Sequence, residues 1–268
     1  QRQMCIRDSI WTDVLKNWNA GLIAFISQKT LFKTRPVVGF IHALVAWGFT
    51  LYLLVNIVDV LYGFIPNFKF LPNSITGDIY RIFVDTFSIL VLLGVFYFLA
   101  RRFIIQEDRL TIKDPVLLSD RAKAGMKFDS FIVGAFIILH IGSRFLSASF
   151  EIAIHGTDWS QPAANMVATI WSTLSPNTLT IAEHVTWWLA LGLILLFLPY
   201  FPYSKHAHLF MGPLNIMASE KRRSMAAIET IDFEDEKLDQ FGAAQIQHLP
   251  QTQLLDGYAC IQCSRCQD

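Results

Sequence analysis

Charge is what this sequence has least of. Aspartate, glutamate, lysine and arginine make up 16% of its 268 residues, against 53% hydrophobic; soluble domains carry about 25% charged residues. The 22 basic and 22 acidic side chains cancel. No net positive field exists to hold a polyanion, so no nucleic-acid partner is expected. Cysteine is scarce as well. Of the four, three fall within seven residues near the C-terminus. That excludes a disulfide framework and reads as a metal spacing, which needs a reducing compartment. The fourth, Cys5, lies in residues 1–9, a stretch that fits nothing after it and resembles a translated sequencing adapter. We expect an assembly artefact there.

What the chain does have is long apolar runs. Four are long enough to span a bilayer, at about 36–62, 80–100, 128–150 and 181–201; each supplies the ~20 residues required. The run 165–174 is too short, lies between Pro162 and Pro176, and reads as a short helix on the outer surface. Residues 10–35 are amphipathic, with lysines among Leu15, Leu22, Ile23, Phe25 and Ile26, and are expected along the interface. The fold class is therefore all-α, a polytopic transmembrane helix bundle over 36–213. A polar linker over 214–257 leads to 258–268, the start of a cytoplasmic ferredoxin-like domain.

Lysine and arginine set the orientation. The loop between the second and third spans holds Arg101, Arg102, Arg109, Lys113, Arg121, Lys123 and Lys127, whereas residues 150–180 contain neither type. Both ends of the chain are thus expected in the cytoplasm of a bacterial or archaeal cell, with lipid around the spans.

The last nine residues, Cys260-Ile261-Gln262-Cys263-Ser264-Arg265-Cys266-Gln267-Asp268, spell Cys-x-x-Cys-x-x-Cys and stop. Two-residue spacers place successive thiolates on one [4Fe–4S] cubane, and the bacterial pattern adds a fourth cysteine and a proline. Cys260, Cys263 and Cys266 are the expected cluster ligands of an incomplete site, and the chain is expected to be a fragment.

Five of seven histidines, His42, His140, His184, His206 and His208, lie in or at the ends of the spans. A side chain that can ionise inside the membrane marks function unless a partner explains it. Neutral imidazoles on facing helices can hold haem iron axially. Depth sorts them. His42 is about 9–10 Å inside the cytoplasmic boundary and His140 about 20 Å along the third span from Lys127, by helix rise. His184 and His208 are about 36 Å apart along a helix and cannot share an iron. The expected pairs are His42 with His208, or His206 in reserve, and His140 with His184. Gly39, Ala43 and Ala46 around His42 leave room for a macrocycle. Arg144, one turn beyond His140, and Arg81 are candidate propionate partners, and Asp85 a partner for Arg81 or a proton carrier. Buried haems beside a cluster motif point to electron transfer between iron–sulfur centres and the bilayer.

These residues also carry a resemblance. The string from Gln28-Lys29 through Arg35-Pro36-Val37-Val38-Gly39-Phe40-Ile41-His42-Ala43 to Trp47-Gly48-Phe49, the string Pro202-Tyr203-Ser204-Lys205-His206-Ala207-His208, and Leu254-Leu255-Asp256 before Cys260 resemble the membrane-bound heterodisulfide-reductase-related Fe–S oxidoreductases. Their membrane half is similar to the gamma subunit of respiratory nitrate reductase, a five-helix cytochrome b with two haems. The resemblance implies an oxidoreductase with one or two b-type haems and cytoplasmic [4Fe–4S] clusters. It further implies a quinone substrate such as menaquinone and a soluble donor such as electron-transfer flavoprotein. It implies a missing first span. Where the gamma subunit has two haem histidines on the matching helix, this chain has only His42, so a second haem requires His140. Ser264 replaces a usual glycine. Two other classes share the features: a heterodisulfide or thiol reductase membrane subunit, and a non-enzymatic module whose histidines bind zinc or copper.

Overall fold

The computed structural model describes residues 10–68, 70–71, 74–110, 119–218, 245–249 and 251–261. Residues 1–9, most of the 214–257 linker, Cys263 and Cys266 lie outside the described residues. Those described form helices and turns with no strand among them. The chain divides into two compact units, one over Leu31–Ser204 and one built from Gln1–Thr30 with Lys205–Cys263.

The larger unit holds α3 (Pro36–Phe64), α4 (Ile75–Leu99, running on through a π turn to Ile104), α5 (Asp120–His155), α6 (Pro162–Ala168) and α7 (Pro176–Phe197). Helices α3, α4, α5 and α7 are long and apolar enough to cross a membrane, so the all-α bundle is as expected. Their ends differ from the apolar runs because local chemistry sets them. Ser74, Ser119 and Ser175 cap α4, α5 and α7 by accepting from Gly77, Ala122 and Thr178 amides, each cap worth about 1 kcal/mol. Pro36 and Pro176 occupy first-turn positions, where the missing N–H costs nothing. Pro199 and Pro202 stop α7 at Phe197 rather than at 201.

Helix α5 is the hub. Over half of its apolar window, 56%, is buried, against 17% in α7 and 28% in each of α3 and α4. Tyr52, Val55, Val91, Val95, Val133, Phe136, Ile137, Ile141 and Phe197 form the core. The Phe136 and Phe197 rings stack at 3.9 Å between centroids. Helices α3 and α4 approach closely: a Cβ on Gly94 would sit 2.6 Å from Val45 Cγ2, and one on Gly48 would overlap Val91. Close approach through small residues is how helices associate in lipid. The outward faces keep Val37, Leu53, Phe96 and Leu196 exposed, as a lipid-covered surface requires.

The C-terminal ends of α3 and α5 and the N-terminal ends of α4 and α7 share one end of this bundle, called the far end below. There the short α6 is pinned from below. Asp85 on α4, only 3% exposed, accepts from the Ala163 and Ala164 amides at 2.7 and 3.0 Å. Its carboxylate satisfies two first-turn donors that have no partner within the helix.

The second unit holds α1 (Ile10–Ser27), α8 (His208–Ala218) and α9 (Gln251–Ala259); the short α2 (Lys29–Thr34) spans the division. The Asn17 amide donates to the Met217 carbonyl at 3.2 Å, tying α1 to α8. Asn215 donates to Asp256 at 2.7 Å, tying α8 to α9. Residues 251–257 of the sequence-defined linker are thus helical. Along α1, Leu15, Trp18, Ile23 and Ile26 are exposed.

Candidate functional site

Among the described expected ligands His140 is the most deeply buried, 5% exposed on α5. Its Nδ1 lies 2.9 Å from the Ala190 carbonyl of α7. A carbonyl only accepts, so Nδ1 carries the hydrogen and the neutral ring keeps its lone pair on Nε2. That nitrogen is buried with no hydrogen-bond partner. Phe136 stacks on the ring at 5.5 Å and Tyr52 meets it edge-on at 6.1 Å. Tyr52 hydrogen-bonds Ser88 at 2.7 Å. An imidazole oriented by a backbone acceptor, with its second nitrogen bare, is how metal-ligating histidines are held.

His184 does not face His140. Helices α5 and α7 run antiparallel, and Ala190 is the residue opposite His140. Seven residues outward on both helices, Ser147 Oγ donates to Glu183 Oε1 at 3.3 Å. So Glu183, not His184, is what α7 presents to α5 at that level. His184 is rotated by ~100° from it and lies about 9 Å along the axis from Ala190. Its side chain is 66% exposed. The geometry leaves one bare, buried imidazole nitrogen at His140 and does not bring His184 opposite it.

The two arginines already have carboxylate partners. Arg144 Nε binds Asp59 Oδ2 of α3 at 2.7 Å, and Arg81 pairs with Asp78, with Asp158 at 3.1 Å and with Ser160 at 2.9 Å. Asp85 caps α6 rather than pairing with Arg81. Nor is the space around His42 open. A Cβ on Gly39 would meet Leu31 and Phe32 backbone at 3.1 Å, and Ala43 is wholly buried. The small residues there serve close packing, and His42 meets the Phe98 ring at 6.4 Å.

His206 and His208 belong to the second unit. Burial, with His208 and Lys205 adding to it, pushes the His206 imidazole down to about 3. Burial likewise lowers His208, whose Nδ1 donates to the Lys205 carbonyl. Both are therefore neutral, the form that binds iron. His42 lies in the other unit. Cys260 follows α9 directly and is exposed. Among the described residues no three His, Cys, Asp or Glu side chains converge as a metal site.

The far end of the larger unit holds a partly open cavity of about 1040 Å³, at the upper end of cofactor and substrate pockets. Its walls carry Tyr52, Asp59, Tyr80, Arg144, Ser147, Glu183, His184 and Trp187, and the 157–161 segment closes one side. Asp59 and Glu183 were not singled out in the sequence. The signal for Asp59 was there: it is the sole ionisable acid in the first span.

No protein-family model matches this chain, and no solved structure matches it. Two curated proteins do. Over 244 residues, 89% of the chain, it is 34% identical to a "Probable iron-sulfur-binding oxidoreductase FadF" of Bacillus subtilis (strain 168), covering 32% of that protein. The similarity runs along nearly the whole of this chain. Over 252 residues, 94% of the chain, it is 25% identical to the "EtfAB:quinone oxidoreductase" of Syntrophomonas wolfei, covering 34% of that protein. The chain spans about a third of the length of the curated relatives it matches.

Proposed function

We propose that this chain is the membrane part of an iron–sulfur oxidoreductase that passes electrons between [4Fe–4S] clusters and the quinone pool. The observation that carries the reading is the 34% identity, over 89% of the chain, to a protein named as an iron–sulfur-binding oxidoreductase. The second relative's name supports a quinone as one partner and an electron-transfer flavoprotein as the other. Cys260, Cys263 and Cys266 begin the cluster loop, which the rest of the protein would complete. Four helices long and apolar enough to cross a membrane support a lipid setting for the quinone-facing part.

If the chain holds a b-type haem, His140 is the residue that would bind its iron, because its orphaned Nε2 sits in an apolar shell and its Nδ1 is held by the Ala190 carbonyl. A haem bound at His140 Nε2 would supply a one-electron relay inside the bilayer, its potential tuned by ligand and burial. The chain's own part is to orient the imidazole and exclude water.

The test uses the complete protein, purified from membranes. Iron and haem are quantified by reduced-minus-oxidised spectra, the clusters by low-temperature EPR, and electron transfer by reduction of a menaquinone analogue. The reading expects a cluster signal altered by Cys263→Ser and a b-type absorbance reduced by His140→Ala. A cluster signal unchanged in Cys263→Ser overturns the cluster assignment. Absence of any haem absorbance in the wild type overturns the haem assignment and leaves the cluster assignment standing.

A further inference from the structure

Glu183 and His184 are left unused by the haem reading, yet they are adjacent, within ion-pair distance of each other and open to the cavity. His184 Nδ1 lies 2.8 Å from Glu183 Oε2 and 2.9 Å from the Thr180 carbonyl. Both are acceptors, so Nδ1 carries the hydrogen and Nε2 is left as a base on a ring that is 66% exposed. Glu183 is 21% exposed, and its other oxygen accepts from Ser147, which is 2% exposed. One carboxylate therefore joins an exposed imidazole to a buried hydroxyl, and all three line the same cavity.

The other charged groups around this cavity are Asp59 on α3, Asp78 and Arg81 on α4, Arg144 and Glu151 on α5, and Asp158 in the segment before α6. Asp59 is tied to Arg144, and Arg81 to Asp78 and Asp158. Among the described residues no guanidinium is paired with Glu183; its partners there are a hydroxyl and an imidazole, both able to pass a proton.

We propose that Glu183 and His184 form a proton-exchange pair between water and the interior of the far-end cavity. The proposal rests on the quinone-linked reading above. A proton from water adds to His184 Nε2. The imidazolium passes its Nδ1 proton to Glu183 Oε2, leaving a neutral ring with hydrogen on Nε2. The carboxylic acid then gives that proton to a reduced quinone oxygen, and ring rotation or exchange with water restores the start. One proton enters and one leaves in each passage, and no electron moves through the pair. Two passages complete the protonation of a doubly reduced quinone, and oxidation of a quinol runs the same steps backward. The geometry assigns His184 to protons rather than to iron.

The experiment uses the complete protein in proteoliposomes, with wild type, Glu183→Gln and His184→Gln. Each is given two acceptors: a menaquinone analogue, which takes electrons with protons, and ferricyanide, which takes electrons alone. The exposed His184 is a substitution that folding tolerates, so it guards against a misfolded Glu183→Gln. The proposal expects both variants to lose tenfold or more of the quinone rate while the ferricyanide rate stays within twofold. It also expects added formate or imidazole to restore at least threefold of the lost quinone rate. Loss of both rates together, or of neither, overturns it. A wild type that reduces ferricyanide but no quinone overturns the quinone-linked reading itself, and the proposal with it. Labelling by dicyclohexylcarbodiimide, which attacks protonated carboxyls in apolar surroundings, gives a readout free of turnover. Glu183 is expected to be modified in the wild type, and a wild-type Glu183 left unlabelled counts against the proposal.

Discussion

Replacing Asp85 with alanine is expected to release α6 from the bundle while leaving the four long helices in place. Asp85 accepts from the Ala163 and Ala164 amides at 2.7 and 3.0 Å, and neither amide, in the first turn of α6, has a helical partner. Hydrogen bonds to a charged group contribute about 1.5–3 kcal/mol each. Helix α6 keeps its apolar contact with α5 through Phe145, Ala148, Ile152, Ala164 and Ala168, so the segment loosens rather than departs. Taking the lower figure for each bond gives about 3 kcal/mol, which corresponds to a rise of about 150-fold in local opening. Asparagine can accept from one amide only, and its own NH₂ opposes the other, so Asp85→Asn is expected to cost about half as much. Hydrogen exchange in lipid nanodiscs, resolved at peptides covering 161–168, reads this directly. Protection there unchanged within threefold in Asp85→Ala, with core peptides of α5 as the reference, would refute the reasoning.

Other perturbations follow from single contacts. Asp59→Asn or Arg144→Met, breaking a pair that is 10% and 22% exposed, is expected to cost about 3–5 kcal/mol, because each leaves a charge without its partner. The double substitution is expected to recover part of that, measured as melting temperature in detergent. Gly48→Ala places a methyl against Val91 and Phe87 and is expected to cost about 1–3 kcal/mol through overpacking, again by thermal melting. Burial alone would raise the Asp158 carboxyl, but hydrogen bonds from Ser160 and Gln161 and the Arg81 charge hold it below the usual carboxylate range. A depressed carboxyl contributes stability that is present above its unfolded value near pH 4 and is lost as pH falls below it. Protease resistance of the 157–161 segment is therefore expected to hold at pH 6 and to fall below about pH 4, with Asp158→Asn flattening that dependence.

Most of the bundle was legible in the sequence. In lipid each spanning segment must satisfy its own backbone, so a long apolar run can only be a helix, and all four runs are helices. The ends were less legible. Helix α5 begins at Asp120, eight residues before the apolar run, because Ser119 caps it and the charged stretch continues as helix in the polar zone. Helix α7 stops short because Pro199 follows it.

The site divides along the same line. Composition and spacing by themselves determined that the chain has four membrane-length helices, a cysteine run after them, and histidines within them. Periodicity along one helix says how far apart two side chains lie. It does not say which residue of another helix stands opposite. Tertiary packing decided that His140 meets the Ala190 carbonyl, that Arg144 is matched by Asp59, and that Asp85 holds α6. It also decided that Glu183, rather than His184, faces α5. Neighbouring residues on a helix point about 100° apart, so a one-residue difference in register separates a group that faces a buried hydroxyl from one that is exposed.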